Sequence, residues 1–230
     1  NVRSIARVWI LPYAYMVKEN SGITKMADLK GKRVVVKLKT NVSLYQANKV
    51  ILGSAGLTMK DITPVESGGV VANIKMVVQD RVDAAAIATG MPAMRKAHAT
   101  VPGGLRILPI GPKGTDDFLG KGMAGLYTVK QKHSKKKPFV KGTITIAAFD
   151  SYLNAGTQVS NEDAYQMAKA VYDNWKQMQK DYPPLRGTKQ NLIAPANNPI
   201  PYHPGAAKYY KEVGIYSDAN AKNDAKLMNK

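Results

Sequence analysis

The residues with the clearest capacity for chemistry sit in one short loop, residues 37–43, reading KLKTNVS. It lies between an apolar run and a helical pattern, so it places Lys37, Lys39, Thr40, Asn41 and Ser43 at a strand-to-helix turn. There, free backbone N–H groups and the helix dipole favour an anion, and those side chains suit a carboxylate. The competing reading is plainer: Asn41 or Thr40 caps the helix and the lysines are solvated. A second turn, Gly90-Met91-Pro92, follows the strand pattern Asp83-Ala84-Ala85-Ala86-Ile87 and opens a Pro-initiated helix beside the first loop.

Other chemistries lack their residues. The three histidines, His98, His133 and His203, show no HxxxH or HExxH spacing, and there is no GxSxG or Walker loop. Cysteine is absent, which removes disulfides, thiolate catalysis and Cys-held metals. The carboxylates fall mostly at turns and helix starts, as with Asp28, Asp61, Glu162 and Asp163, where capping physics accounts for them. The reading is therefore no enzyme, no cofactor and no metal. His203, between Tyr202 and Pro204, reads as a helix-entry residue whose ring bonds nearby backbone, and Tyr209 and Tyr210 as core packing.

The elements that must hold these loops alternate in type. Strands are expected at 5–18, 32–36, 61–66, 82–88 and 106–110, with helices at 41–52, 69–79 and 91–100 between them. That alternation indicates α/β, with parallel sheets flanked by helices. Residues 111–125 read as loop. Strands at 124–129 and 143–149 follow, then one helix at 162–180 with Ser160 as N-cap and Asp163 completing a capping box. In residues 200–216, Pro201 and Pro204 restrict the approach to a helix, Gly205 eases the turn, and Gly214 stands at the C-cap.

The chain has 230 residues, enough for one large domain or two lobes. No run of about 18 apolar residues is present, so no transmembrane segment is expected. The formal charge is +18. It implies an acidic counterpart, whether solute, lipid or protein. The excess is spread along the chain, with one dense cluster in residues 130–141 (KQKHSKKKPFVK). It lacks the finger, RNP or basic-zipper patterns that would indicate nucleic acid. The cluster reads as a solvated loop or as a docking patch for an acidic protein or membrane.

Four stretches, in order, resemble the TAXI family, the extracytoplasmic solute-binding proteins of TRAP-type transporters. They are SGITKMADLKGKRVVV; GLTMKDI with VVQDRVDAAAIATGMP; VSNEDAYQMAKAVYDN; and IPYHPGAAKYYKEVGIY, the last being the nearest match. The resemblance implies a two-lobed type II periplasmic-binding-protein fold that closes on a small carboxylate such as glutamate or a 2-oxoglutarate-like acid. It further implies a periplasmic location and delivery of the solute to a TRAP membrane permease. Residues 1–20 would be hinge and first-lobe strand, 21–125 the second lobe, and 126–230 the return crossover with first-lobe helices and tail. Two departures accompany it. The family's Gly-rich first-lobe segment would precede Asn1, so the first lobe is expected to be incomplete. The family's Gly-Ser-Gly-Thr core is replaced by residues 37–43, where only Ser43 keeps a hydroxyl and Val42 would resist positive φ. The alternative expectation is a repurposed accessory or structural subunit of a larger extracytoplasmic complex, binding an acidic protein partner with altered or lost solute binding.

Overall fold

The computed structural model describes residues 1–229. The chain packs as two compact units, one made of Asn1–Ile10 with Asp150–Lys230 and the other of Leu11–Phe149. Two long strands run from one unit into the other: β1 (Val2–Lys18) and β7 (Thr143–Gly156). The divisions expected at residues 20 and 125 both lie inside the second unit.

The second unit is a mixed α/β layer structure. After β1 come β2 (Arg33–Leu38), α1 (Val42–Gly53), β3 (Thr63–Ser67), α2 (Val70–Val78), β4 (Ala84–Ala88), α3 (Pro92–Thr100) and β5 (Leu105–Ile107). Next are α4 (Asp116–Gly122) and β6 (Leu126–Lys132), which leads into β7. The strand order is β3-β2-β4-β1-β7-β6, with β5 also pairing with β1. β2 runs parallel to β3 and to β4, as strand–helix–strand crossovers require. β4 and β5 lie antiparallel to β1, and β6 antiparallel to β7. Strands buried on both faces read as continuous apolar runs, and Val34-Val35-Val36 and Ala84-Ala85-Ala86-Ile87 form the centre of the core with Tyr13, Tyr15 and Leu52.

Two buried asparagines tie helices to the sheet. Asn48 Nδ2 donates to the Val36 carbonyl at 2.8 Å, and Asn73 Nδ2 to that of Ala86 at 2.8 Å, while Ser67 Oγ donates to Asn73 Oδ1 at 2.5 Å. Amides placed this way fix the helix seats, because moving either helix would strand a buried polar group.

The first unit packs α5 (Asn161–Asp173), α6 (Trp175–Asp181), α7 (Pro204–Glu212) and α8 (Asp218–Met228) around Trp175, Tyr202, Tyr209 and Tyr210. Ser160 caps α5, its hydroxyl accepting from Asp163 N–H at 3.0 Å and donating to the Asp163 carboxylate at 2.7 Å. A buried ion pair, Arg7 Nη1 to Asp150 Oδ2 at 3.1 Å, joins the two strand segments of this unit, and Arg7 Nη2 donates to the Leu192 carbonyl at 2.6 Å. His203 caps α7 as expected: its ring accepts from Gly205 N–H at 3.4 Å, and its Nε2 faces the Val159 carbonyl at 3.1 Å. The Gly205 N–H on Nδ1 leaves Nε2 as the nitrogen that donates to the Val159 carbonyl. Gly214, at φ +75°, ends α7 in the left-handed conformation.

Several sequence expectations are corrected. Residues 111–125 contain α4, started by a Thr115 cap on Phe118 N–H at 3.2 Å. The helix expected at 162–180 breaks at Asn174, whose Nδ2 bonds the Ala170 carbonyl at 2.9 Å, a local bond that competes with the helical ladder. The C-terminal tail contains a helix that was not expected, α8. Gly205 serves close approach rather than a turn, since a Cβ there would lie 2.0 Å from the Asn161 carbonyl oxygen.

Candidate functional site

Three helices open at one edge of the second unit's sheet. Adjacent parallel strands β3, β2 and β4 each run at their C-terminal end into a short loop and then a helix: α2, α1 and α3 respectively. This is the edge at which open α/β sheets bind ligands. None of the three helices carries an acidic residue in its first turn. α4, α5 and α8 carry Asp116 and Asp117, Glu162 and Asp163, and Asp218 there, while α6 and α7 in the first unit also carry none. The positive ends of α1, α2 and α3 thus lack the carboxylates that ordinarily offset them.

The loop at residues 39–41 is built as follows. Asn41 is the N-cap of α1, its side chain accepting from Leu44 N–H at 3.2 Å and from Ser43 Oγ at 2.6 Å. Those two residues are therefore engaged in the cap. Thr40 Oγ1 reaches across to the β3–α2 loop and donates to the Gly68 carbonyl at 3.3 Å. Lys37 and Lys39 both face Glu66, at 3.2 and 3.9 Å. Among the described residues only Asp80, outside this loop, combines a side chain with positive φ, so Val42 stands in helical backbone without strain.

The sequence reading missed the neighbouring loop. Ser67-Gly68-Gly69 supplies the glycines that residues 37–43 lack, with Gly69 as N-cap of α2 at φ +153°. A Cβ on Gly69 would lie 3.1 Å from Thr40 Oγ1, while Gly68 has open space around it. A strand, two glycines and an apolar helix in succession were the available signal. Beside this loop lies an open depression of about 330 Å³, whose lining includes Lys39, Glu66, Gly68, Lys75 and Arg81. Its volume falls at the lower end for small-molecule sites.

Gly90-Met91-Pro92 falls at the next strand end. The pairing of Val35 with Ala85 carries forward to place the β4–α3 turn beside the Lys39–Thr40 turn. Met91 is the N-cap of α3 and Pro92 its first residue. Just before them, the Thr89 hydroxyl is buried and without a hydrogen-bond partner among the described residues.

The histidines lie apart, each ring against a backbone carbonyl: His98 on Leu105, His133 on Val140, His203 on Val159. Among the described residues no group of three His, Cys, Asp or Glu could hold a metal. No described helix is long and apolar enough to cross a membrane.

The family model described as NMT1-like matches residues 1–214. The chain belongs to the NMT1-like family. Solved structures similar to this NMT1-like protein include the periplasmic aliphatic sulphonate binding protein SsuA from Escherichia coli, at 18% identity over 96% of this chain and 68% of that one, TM-score 0.41. A putative periplasmic sulfonate-binding protein SsuA from Methylobacillus flagellatus KT matches at 16% identity over 96% of this chain and 62% of that one, TM-score 0.46. An arginine transport system periplasmic binding protein from Legionella pneumophila matches at 14% identity, 80% and 63% coverage, TM-score 0.43. The chain spans about three fifths to two thirds of the length of these proteins.

Proposed function

We propose that this NMT1-like protein is an extracytoplasmic solute receptor of the TAXI type. It receives a small anionic solute, a dicarboxylate or an amino acid, and delivers it to a TRAP membrane permease in the periplasm. The observation that carries this reading is the set of three helix N-termini at adjacent parallel strand ends, all without a first-turn acid. An anion there satisfies free N–H groups and offsets three dipoles at once. Lys37, Lys39 and Thr40 supply the basic and hydroxyl side of the wall, Gly68-Gly69 the approachable backbone, and Thr89 with Gly90-Met91-Pro92 the neighbouring side. The role of the solute is non-catalytic: its differential affinity shifts a conformational population.

Calorimetry and thermal melting with glutamate, 2-oxoglutarate and ethanesulfonate test this. A bound solute stabilises the fold by about 2.7 kcal/mol at a hundred times its Kd, so the melting temperature should climb with concentration. Absence of any concentration-dependent shift with all three, up to millimolar levels, would sink the reading.

Glu66 favours a second reading. Its single carboxylate already pairs with both Lys37 and Lys39, as expected where an anion site has been retired. The protein would then be an accessory or structural subunit of a larger extracytoplasmic complex, isolated with its partners in a salt-sensitive assembly and indifferent to the three solutes.

A further inference from the structure

The densest basic segment plays no part in the solute reading, and it forms the open edge of the sheet. β6 ends the strand order and pairs on one side only, with β7. Three hydrogen bonds fix which backbone groups of this edge face outward. Thr128 N–H donates to Asp116 Oδ1 at 2.7 Å, away from β7. His133 N–H, of the opposite parity, donates to the Gly142 carbonyl at 2.7 Å, across the hairpin. Thr145, which stands opposite Lys130, gives its carbonyl to Ile110 N–H at 2.8 Å rather than to β6. Antiparallel ladders alternate strictly between inward and outward residues. Lys130 and Lys132 therefore share the outward parity of Thr128. Asp116 closes the edge at Thr128, and no hydrogen bond to a described residue closes it at Lys130 or Lys132.

The side chains at this edge are exposed and of one sign. Lys130 and Lys132 are exposed, as are Lys135 and Lys136 in the turn beyond, and none of the four is ion-paired among the described residues. Lys137, in contrast, is half-buried and donates to Gln131, which pins the turn; burial lowers its pKa. Behind the turn, Phe139 and Val140 are fully buried. The hairpin is thus a seated element presenting a cationic edge.

We propose that the free edge of β6 docks an extended acidic segment of a partner protein, added as a further strand with carboxylates alongside Lys130 and Lys132. The outward N–H and C=O groups supply the ladder, and the lysines select the sign of the incoming strand. A second copy of this chain is a poor occupant. It would set lysine beside lysine, between chains that each carry a formal +18. A polyanion attracted by charge alone would have no use for the outward backbone groups. The inference stands apart from the solute site, since Asp116, Ile110 and the β6–β7 hairpin contribute nothing to that edge of the sheet.

The test uses the full chain and a short synthetic peptide alternating Glu and Thr, with hydrogen exchange and fluorescence anisotropy as readouts. Binding should protect the Lys130 and Lys132 amides and weaken by about tenfold or more between low and high salt. Lys130→Pro removes an N–H that β7 does not use, so the fold should persist, checked by unchanged protection of Val129 and Gln131. That variant should lose the peptide. The double variant Lys130→Glu with Lys132→Glu should instead prefer a peptide alternating Lys and Thr. The proposal fails if the peptide gives no protection at millimolar concentration. It fails equally if Lys130→Pro binds as well as the parent, or if phosphatidylglycerol vesicles are retained while the peptide is not.

Discussion

At the scale of single residues, the solute site turns on Glu66 and Gly69. Glu66 holds both loop lysines, at 3.2 and 3.9 Å, in exposed pairs worth about 0.2–1 kcal/mol each. Glu66→Gln should release them and tighten binding of an anionic solute by a few-fold, read by calorimetry with glutamate. Unchanged or weaker binding would show that the lysines do not face the solute. Gly69 has positive φ and Thr40 Oγ1 close to where a Cβ would go. Gly69→Ala should cost about 1–3 kcal/mol in urea unfolding and lower solute affinity further, since the α2 N-terminus must shift. A variant as stable as the parent would show that the backbone there relaxes freely. Lys37, Lys39 and Thr40 were visible in the sequence because they lie together along the chain. Their partners Glu66, Gly68 and Gly69 were not, because the Thr40–Gly68 contact spans 28 positions and depends on β2 lying beside β3.

At the scale of elements, the buried Arg7–Asp150 pair joins the strand segments of the first unit. Arg7 also bonds the Leu192 carbonyl, and Tyr152 Oη donates to Asp150 at 3.1 Å. Arg7→Met would leave a carboxylate buried without its cation, at a cost of about 3–5 kcal/mol, lowering the urea midpoint. A loss below about 1 kcal/mol would mean that water reaches Asp150. Most elements were legible from period and punctuation: the valines of β2, the Pro-initiated α3, the Ser160 cap, the glycine after α7. The exceptions have local causes. α4 is short and holds two glycines, so its pattern reads as loop until Thr115 caps it against the rest of the unit. The break at Asn174 rests on one side-chain bond, and a helical apolar period passes straight through it.

At the scale of the whole molecule, buried phenols set an alkaline limit on the fold. Tyr202 and Tyr210 are raised well above the usual tyrosine value, chiefly by desolvation. The folded state therefore holds these protons more tightly than the unfolded chain does. Their contribution is complete below the unfolded value of about 10 and is lost as pH rises toward the folded values. Stability should decline from about pH 10 upward. The slow phase of tyrosinate absorbance should then coincide with loss of helical circular dichroism. Rapid ionisation of every tyrosine in the intact fold would contradict this. The sequence by itself determined the α/β alternation, the strand-to-helix loops, the histidine cap on α7 and the absence of thiol chemistry. These depend on neighbours in the chain and on residue type. Only the tertiary structure decided that Glu66 answers the loop lysines, that the missing glycines arrive from the next loop, and that Lys130 and Lys132 lie on an open edge. Strand order and ladder parity are set by pairings between distant segments, and no local period encodes them.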